Sequence, residues 1–315
     1  LLSQGLIQTL LPSFILQKRY ASESNLTVTL EDGDRVLLMK NRPSSSPKGK
    51  ILLIPGLGTS ALSVGPSRLA RKLIGLGWMT YRFNHRGLGQ GQGLAKGTYH
   101  AGRSLDAEQS LKVMEEDEGD LPIFALGFSL GGNLLLRHGG RASAGLEREL
   151  PKALKGLIAL SPIVELEQCT RALAETGWGI IDKKFVQHAK TYAERRHQIW
   201  PELGPIDLPK KLNLYQFDDF YTAKQNGFLG APDYYEFATA KPWLHHINVP
   251  TRVLIAQNDP LVLKNHISYP SNIEATITKS GGHLGFISGT KTQFKDHFWM
   301  DDFIISSIES IFKIS

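Results

Sequence analysis

The chain holds a single cysteine, Cys169, among 315 residues. No intrachain disulfide can form, and a thiolate zinc site would need more ligands. A lone thiol is compatible with a reducing compartment, and a cytoplasmic location is the expectation. No apolar run reaches the length that crosses a bilayer. The apolar-leaning stretch from Leu1 to Leu16 is interrupted by Ser3, Gln4, Gln8, Thr9 and Pro12 and lacks a basic n-region. It reads as a short helix packed on the domain rather than a targeting segment. Histidines and carboxylates do not recur at metal-binding spacings, so no metal and no cofactor are expected. The excess of positive charge is modest, with a formal net charge of +6. Its clusters at Lys183-Lys184, Arg195-Arg196 and Lys210-Lys211 read first as solvated surface, with peripheral contact to an anionic membrane or lipid as the sharper reading. No nucleic-acid motif accompanies the charge, and nothing in the sequence speaks to oligomeric state.

What is present is an alternation of strand-like and helix-like segments. Leu26–Leu30 and Arg35–Met39 flank Glu31-Asp32-Gly33-Asp34, which predicts a hairpin. After the Ser/Pro/Lys loop from Pro43 to Lys50, short apolar runs predict strands at Ile51–Ile54, Thr80–Phe83, Leu121–Leu126, Leu157–Leu160, Arg252–Ala256 and Ile273–Ile277. Helical patterns fall at Ser67–Leu76, Leu105–Glu116, from Gly132 onward, and at Phe303–Phe312. This alternation predicts an α/β fold with a mostly parallel central sheet and an antiparallel N-terminal hairpin. The pattern stops between about residues 162 and 243, which hold nearly half of the chain's aromatics. Among them are Trp178, Phe185, Trp200, Phe217, Phe220, Tyr221, Phe228, Tyr234 and Tyr235. We read one domain, 1–315, with a cap inserted over a pocket at the sheet's carboxyl edge. Most of these aromatics are expected to build the cap's own core and a few to line the pocket.

The chemistry centres on Gly127-Phe128-Ser129-Leu130-Gly131, which follows one predicted strand and opens a helix. A strand, a sharp turn with Ser at its apex and a helix are what a nucleophile elbow needs. The flanking glycines suit a turn in which a Cβ would clash. A serine hydroxyl needs a base, and the base needs an acid to orient it, in the chain order Ser, acid, His. His283, in Ser280-Gly281-Gly282-His283-Leu284-Gly285, is the candidate base, with His266 and His297 as rivals. Asp259, just past a strand and before Pro260, is the candidate acid; Asp218 and Asp219 fall inside the cap. The backbone N–H of Leu130 and that of Leu57, in Pro55-Gly56-Leu57-Gly58, are the candidate oxyanion donors. A dehalogenase would want an aspartate at position 129, and a metallohydrolase clustered ligands; neither pattern is present.

These residues carry a resemblance over nearly the whole chain. The sequence resembles the YheT-like branch of the α/β-hydrolase superfamily, which includes the ABHD-type lipases and esterases. The shared motifs are Gln8-Thr9-Leu10-Leu11-Pro12, Arg86-Gly87, Tyr99-His100-Ala101-Gly102 and the elbow extended through Gly132-Asn133. Most specific is Phe217-Asp218-Asp219-Phe220-Tyr221-Thr222-Ala223-Lys224, continuing through Gly227-Phe228 to Tyr234-Tyr235. The resemblance implies the α/β-hydrolase fold, a triad of Ser129, Asp259 and His283, and ester hydrolysis, with acyl transfer to an alcohol in some relatives. Relatives carry His where this chain has Pro55, so the loop bearing Leu57 must be anchored differently. The expected activity is a cofactor-free serine carboxylesterase acting on a small-molecule acyl ester through an acyl-enzyme. Acyl transfer to an alcohol or lipase action on the same triad is the alternative. A silent binding protein on the same fold is the reading from another class.

Overall fold

Four central strands run as near-continuous apolar segments, so both of their faces must be covered. They are β3 (Lys50–Ile54), β5 (Ile123–Phe128), β6 (Leu154–Leu160) and β7 (Thr251–Ala256). The computed structural model describes residues 4–11, 20–175, 179–262 and 268–314. Its eight-stranded sheet has the order β1 (Ser24–Thr29), β2 (Arg35–Asn41), β4 (Met79–Asn84), β3, β5, β6, β7, β8 (Ile273–Thr278). β1 and β2 form the expected hairpin, and β2 pairs antiparallel with β4. From β4 through β3, β5, β6 and β7 to β8 every pairing is parallel.

Alternate side chains feed two cores, as strand geometry requires. Ile51, Leu53, Phe124, Leu126, Ile158 and Leu160 pack on one face. There they meet α2 (Val64–Gly75) and α9 (Trp299–Ile314). Leu52, Ile54, Ala125, Leu157, Ala159 and Val253 pack on the other face. There they meet α3 (Ser104–Glu116) and α4 (Leu130–Ser143). α2 ends at Gly75, one residue before the predicted Leu76. Gly77 adopts φ 89°, and the N–H groups of Gly77 and Trp78 reach back to the carbonyls of Ile74 and Leu73. This two-bond stop needs a residue that tolerates the left-handed region.

The N-terminal stretch does form a short helix, α1 (Gln4–Leu10), with Gly5 and Leu6 buried. Between β6 and β7 the described chain contains helices and loops. α5 (Leu166–Leu173), α6 (Ile180–Ile199), α7 (Leu214–Phe217) and α8 (Ala231–Ala238) follow in turn. α7 runs directly into a π-helical stretch, Asp218–Ala223. Asn133 on α4 ties this segment to the core. Its amide donates to the carbonyls of Ala101 and Ala238 and accepts from the N–H of Ala240. Among the described residues, no helix is long and apolar enough to cross a membrane.

Candidate active site

Ser129 sits at the junction of β5 and α4 with φ 53° and ψ −113°. For a non-glycine residue this backbone costs about 1–3 kcal/mol, so the surroundings must hold it. They do: Ser129 N–H donates to Leu160 O at 2.8 Å. The glycines are there for close approach. A Cβ on Gly127 would lie 2.3 Å from Gly131 O, and one on Gly131 would lie 2.4 Å from Ile54 O.

The three residues expected to act together are brought together. His283 Nε2 is 2.8 Å from Ser129 Oγ, and His283 Nδ1 is 2.9 Å from Asp259 Oδ2. Asp259 is itself fixed, because its Oδ1 accepts from the N–H of Leu261 at 2.8 Å and of Val262 at 3.3 Å. With Nδ1–H donating to Asp259, Nε2 is left as an acceptor for the serine hydroxyl. All three side chains are buried. Of the rivals, His297 is exposed and takes the carbonyl of Ser288, while His266 lies outside the described residues.

The loop bearing Leu57 passes beside the serine. A Cβ on Gly56 would lie 3.3 Å from Ser129 Cβ. Leu57 and Leu130 line the same cavity as Ser129, and neither N–H has an acceptor among the described residues. The sequence left open how a loop with Pro55 is anchored. His85 supplies the answer: its Nε2 is 2.8 Å from Pro55 O. Burial pushes the His85 imidazole below its usual range, so it is a neutral donor there. His85 also stacks on Tyr99, at 5.5 Å between ring centroids.

The cavity at Ser129 is walled mostly by apolar and aromatic side chains, with Ile163, Leu166, Leu173, Phe185, Leu214 and Leu261 among them. More aromatics line it than the sequence suggested: Phe185, Phe217, Tyr221, Tyr234 and Tyr235 all do, as do Tyr99 and Tyr192. Trp178 lies outside the described residues. The buried Cys169 also faces the cavity.

The paired acids Asp218 and Asp219 separate in role. Asp219 Oδ1 accepts from Ala231 N–H at 2.8 Å and so holds the start of α8. Asp218 lines the cavity, where it accepts hydrogen bonds from Thr222 Oγ1 at 2.6 Å and Tyr235 OH at 2.7 Å. Among the described residues it is the one carboxylate in the lining, and no Lys or Arg lines the cavity beside it. Burial pushes its carboxyl up to about 6 despite the two hydroxyl donors. The folded state therefore binds this proton more tightly than the unfolded chain, and stability is lost as pH rises from about 4 to about 6. The difference between wild type and Asp218→Asn should thus move against wild type over that window, by on the order of 2–3 kcal/mol. Urea unfolding of both proteins at pH 4.5 and 7 measures it, and a difference that does not change with pH would contradict this reading.

His100 also lines the cavity. Its Nδ1 accepts from Gly102 N–H, and burial holds it well below its usual range, so it is neutral with the proton on Nε2. A separate group, Glu108, His138 and Glu147, brings its ligand atoms within 4.8 Å of one another. It lies outside the cavity lining. Its Glu147 is already matched by Arg137 and Arg141. These two guanidinium groups also disfavour a cation there.

Residues 45–271 match the hydrolase family described as serine aminopeptidase, S33. The chain is similar to YheT of Escherichia coli (strain K12), at 29% identity over 298 residues, 90% of this chain and 84% of that protein. It is similar to the phospholipase ABHD3 of Mus musculus, at 25% identity over 295 residues, 90% of this chain and 71% of the relative. Among solved structures, the α/β hydrolase GrgF from Penicillium sp. sh18 shares the fold. Its TM-score is 0.60 at 15% identity, over 92% of this chain and 99% of that one. The family match spans well over half of the sequence. The chain therefore belongs to this hydrolase family and, with its curated relatives, to the YheT-like branch of the esterase- and lipase-type α/β-hydrolases.

Proposed function

We propose that the protein is a serine carboxylesterase that cleaves acyl esters through an acyl-enzyme on Ser129. The observation that carries this is the continuous line Ser129 Oγ, His283 Nε2, His283 Nδ1, Asp259 Oδ2, with links of 2.8 and 2.9 Å. Ser129 Oγ attacks the ester carbonyl while His283 Nε2 takes its proton. Asp259 holds the ring in the tautomer that can do so and stabilises the imidazolium. The carbonyl oxygen becomes an oxyanion facing the N–H groups of Leu57 and Leu130, and losing one such donor typically costs about 3–4 kcal/mol. Proton return from His283 expels the alcohol. Water, activated by the same imidazole, then releases the acid. The helical segment between β6 and β7 acts as the cap, and its apolar wall suits an apolar acyl or alkyl group.

A peptidase reading has one observation in its favour. Asp218 in the cavity could pair with a substrate ammonium group. The apolar wall and the relatives along most of the chain favour the ester. One panel separates the two: p-nitrophenyl esters from acetate to palmitate, beside amino-acid p-nitroanilides. The ester reading expects turnover of at least one ester that disappears in Ser129→Ala, with no anilide cleaved faster. Faster cleavage of an anilide would overturn it. Ethyl ester formed in added ethanol would mark acyl transfer by the same intermediate.

A further inference from the structure

The loop that carries His283 is strained and supported from a distance. Gly282, Leu284 and Phe286 have φ of 59°, 65° and 42°, so the histidine is flanked by left-handed backbone, some of it at residues with side chains. Such conformations persist only where neighbours over-determine them. Two sets of contacts do so. The first comes from the Asp259 side, where Asn258 Oδ1 accepts from the N–H groups of both Gly281 and Gly282 at 3.0 Å.

The second comes from α1, more than 270 residues earlier in the chain. Thr9 Oγ1 accepts from the backbone N–H of His283 at 2.8 Å and donates to Gly5 O at 2.7 Å, so both hydrogen-bonding roles of the hydroxyl are used. Gln8 Oε1 accepts from Ile287 N–H at 3.3 Å. Three glycines permit this approach. A Cβ on Gly5 would lie 1.8 Å from Asn258 O, one on Gly282 would lie 2.4 Å from Gly5 O, and one on Gly285 would lie 2.3 Å from Gln8 O. Leu6 of α1 is buried in one apolar cluster with Leu261, two residues after Asp259, and with Leu173, Ile181, Val186 and Leu214 of the helical segment. One short helix thus touches the acid loop, the histidine loop and the pocket wall.

We propose that α1 is a positioning element for the reaction, and that Thr9 is the positioning residue through which it aims His283. The inference rests on His283 acting as the base. Thr9 touches no reacting atom; its hydroxyl fixes the backbone from which the imidazole reaches Ser129. Valine is nearly isosteric and keeps the contacts with the loop, but it cannot accept the His283 N–H. The strained loop then relaxes, and a base displaced from its 2.8 Å contact loses rate rather than binding.

The test compares wild type, Thr9→Val, Thr9→Ser and Ser129→Ala. Each is assayed for kcat and KM on the best p-nitrophenyl ester and for hydrogen–deuterium exchange of the peptide containing His283. Thr9→Val is expected to lower kcat about tenfold, with KM within about twofold of wild type. The His283 peptide should exchange faster, and Thr9→Ser should restore both. A Thr9→Val protein with full kcat, or with unchanged exchange at His283, overturns the proposal. So does a Thr9→Ser protein as impaired as Thr9→Val. Failure of the esterase reading looks different: Ser129→Ala then turns over ester as wild type does, and the exchange comparison still decides whether Thr9 holds the loop.

Discussion

Replacing Ser129 with alanine is expected to lower kcat for a p-nitrophenyl acyl ester by about 10⁴-fold or more, with the melting temperature within a few degrees of wild type. The size follows from what is removed. Without Oγ no acyl-enzyme forms, and His283 can only assist water from a position set for the serine. The residual rate comes from the cavity and the two backbone donors. The small stability effect follows from what remains. Alanine inherits the same φ of 53° and the N–H bond to Leu160 O, so little backbone strain is added. The lost partner is the 2.8 Å contact with His283, whose other nitrogen stays with Asp259. Steady-state kinetics beside a thermal melt check both halves.

Asp259→Asn is expected to be the next most damaging change, at about 10³–10⁴-fold in kcat with KM nearly constant. Asparagine has the same shape, and its Oδ1 can keep the N–H groups of Leu261 and Val262. Its amide nitrogen then faces His283 Nδ1 and donates to it. The ring shifts its proton to Nε2, the atom that must receive the proton from Ser129. The fold survives and the base is lost. A loss below about tenfold would mean that Asp259 does not set the tautomer.

The parts of this site that were legible in the sequence are those whose causes are local. The elbow announces itself because a strand, a strained serine and a helix need glycines at fixed positions. Asp259 and His283 follow because the ends of parallel strands project side chains to one edge. Small boundary differences have local causes as well. The apolar run suggested that β5 stops at Leu126, but Gly127 continues it, pairing with Ile54 and Ala159. α2 begins at Val64, three residues before the prediction, because Pro66 lies in its first turn, where a missing N–H costs nothing.

What was not legible depends on contacts between distant segments. Nothing near Pro55 indicates that His85 holds its carbonyl. The Gln8-Thr9 pair resembles a family motif, yet its tie to His283 spans nearly the whole chain. Asp218 reads as one of two equivalent acids until α8 claims Asp219 and the cavity claims its neighbour. More aromatics line the pocket than the sequence indicates, because periodicity does not distinguish a helical segment's own core from the wall that it turns toward Ser129.

The most direct measurement is the site of covalent capture. Folded protein is treated with a fluorophosphonate, digested and mapped by mass spectrometry. One adduct is expected, on Ser129, formed far more slowly in His283→Ala. Folded protein that stays unlabelled, or that carries its adduct on another residue, would contradict it.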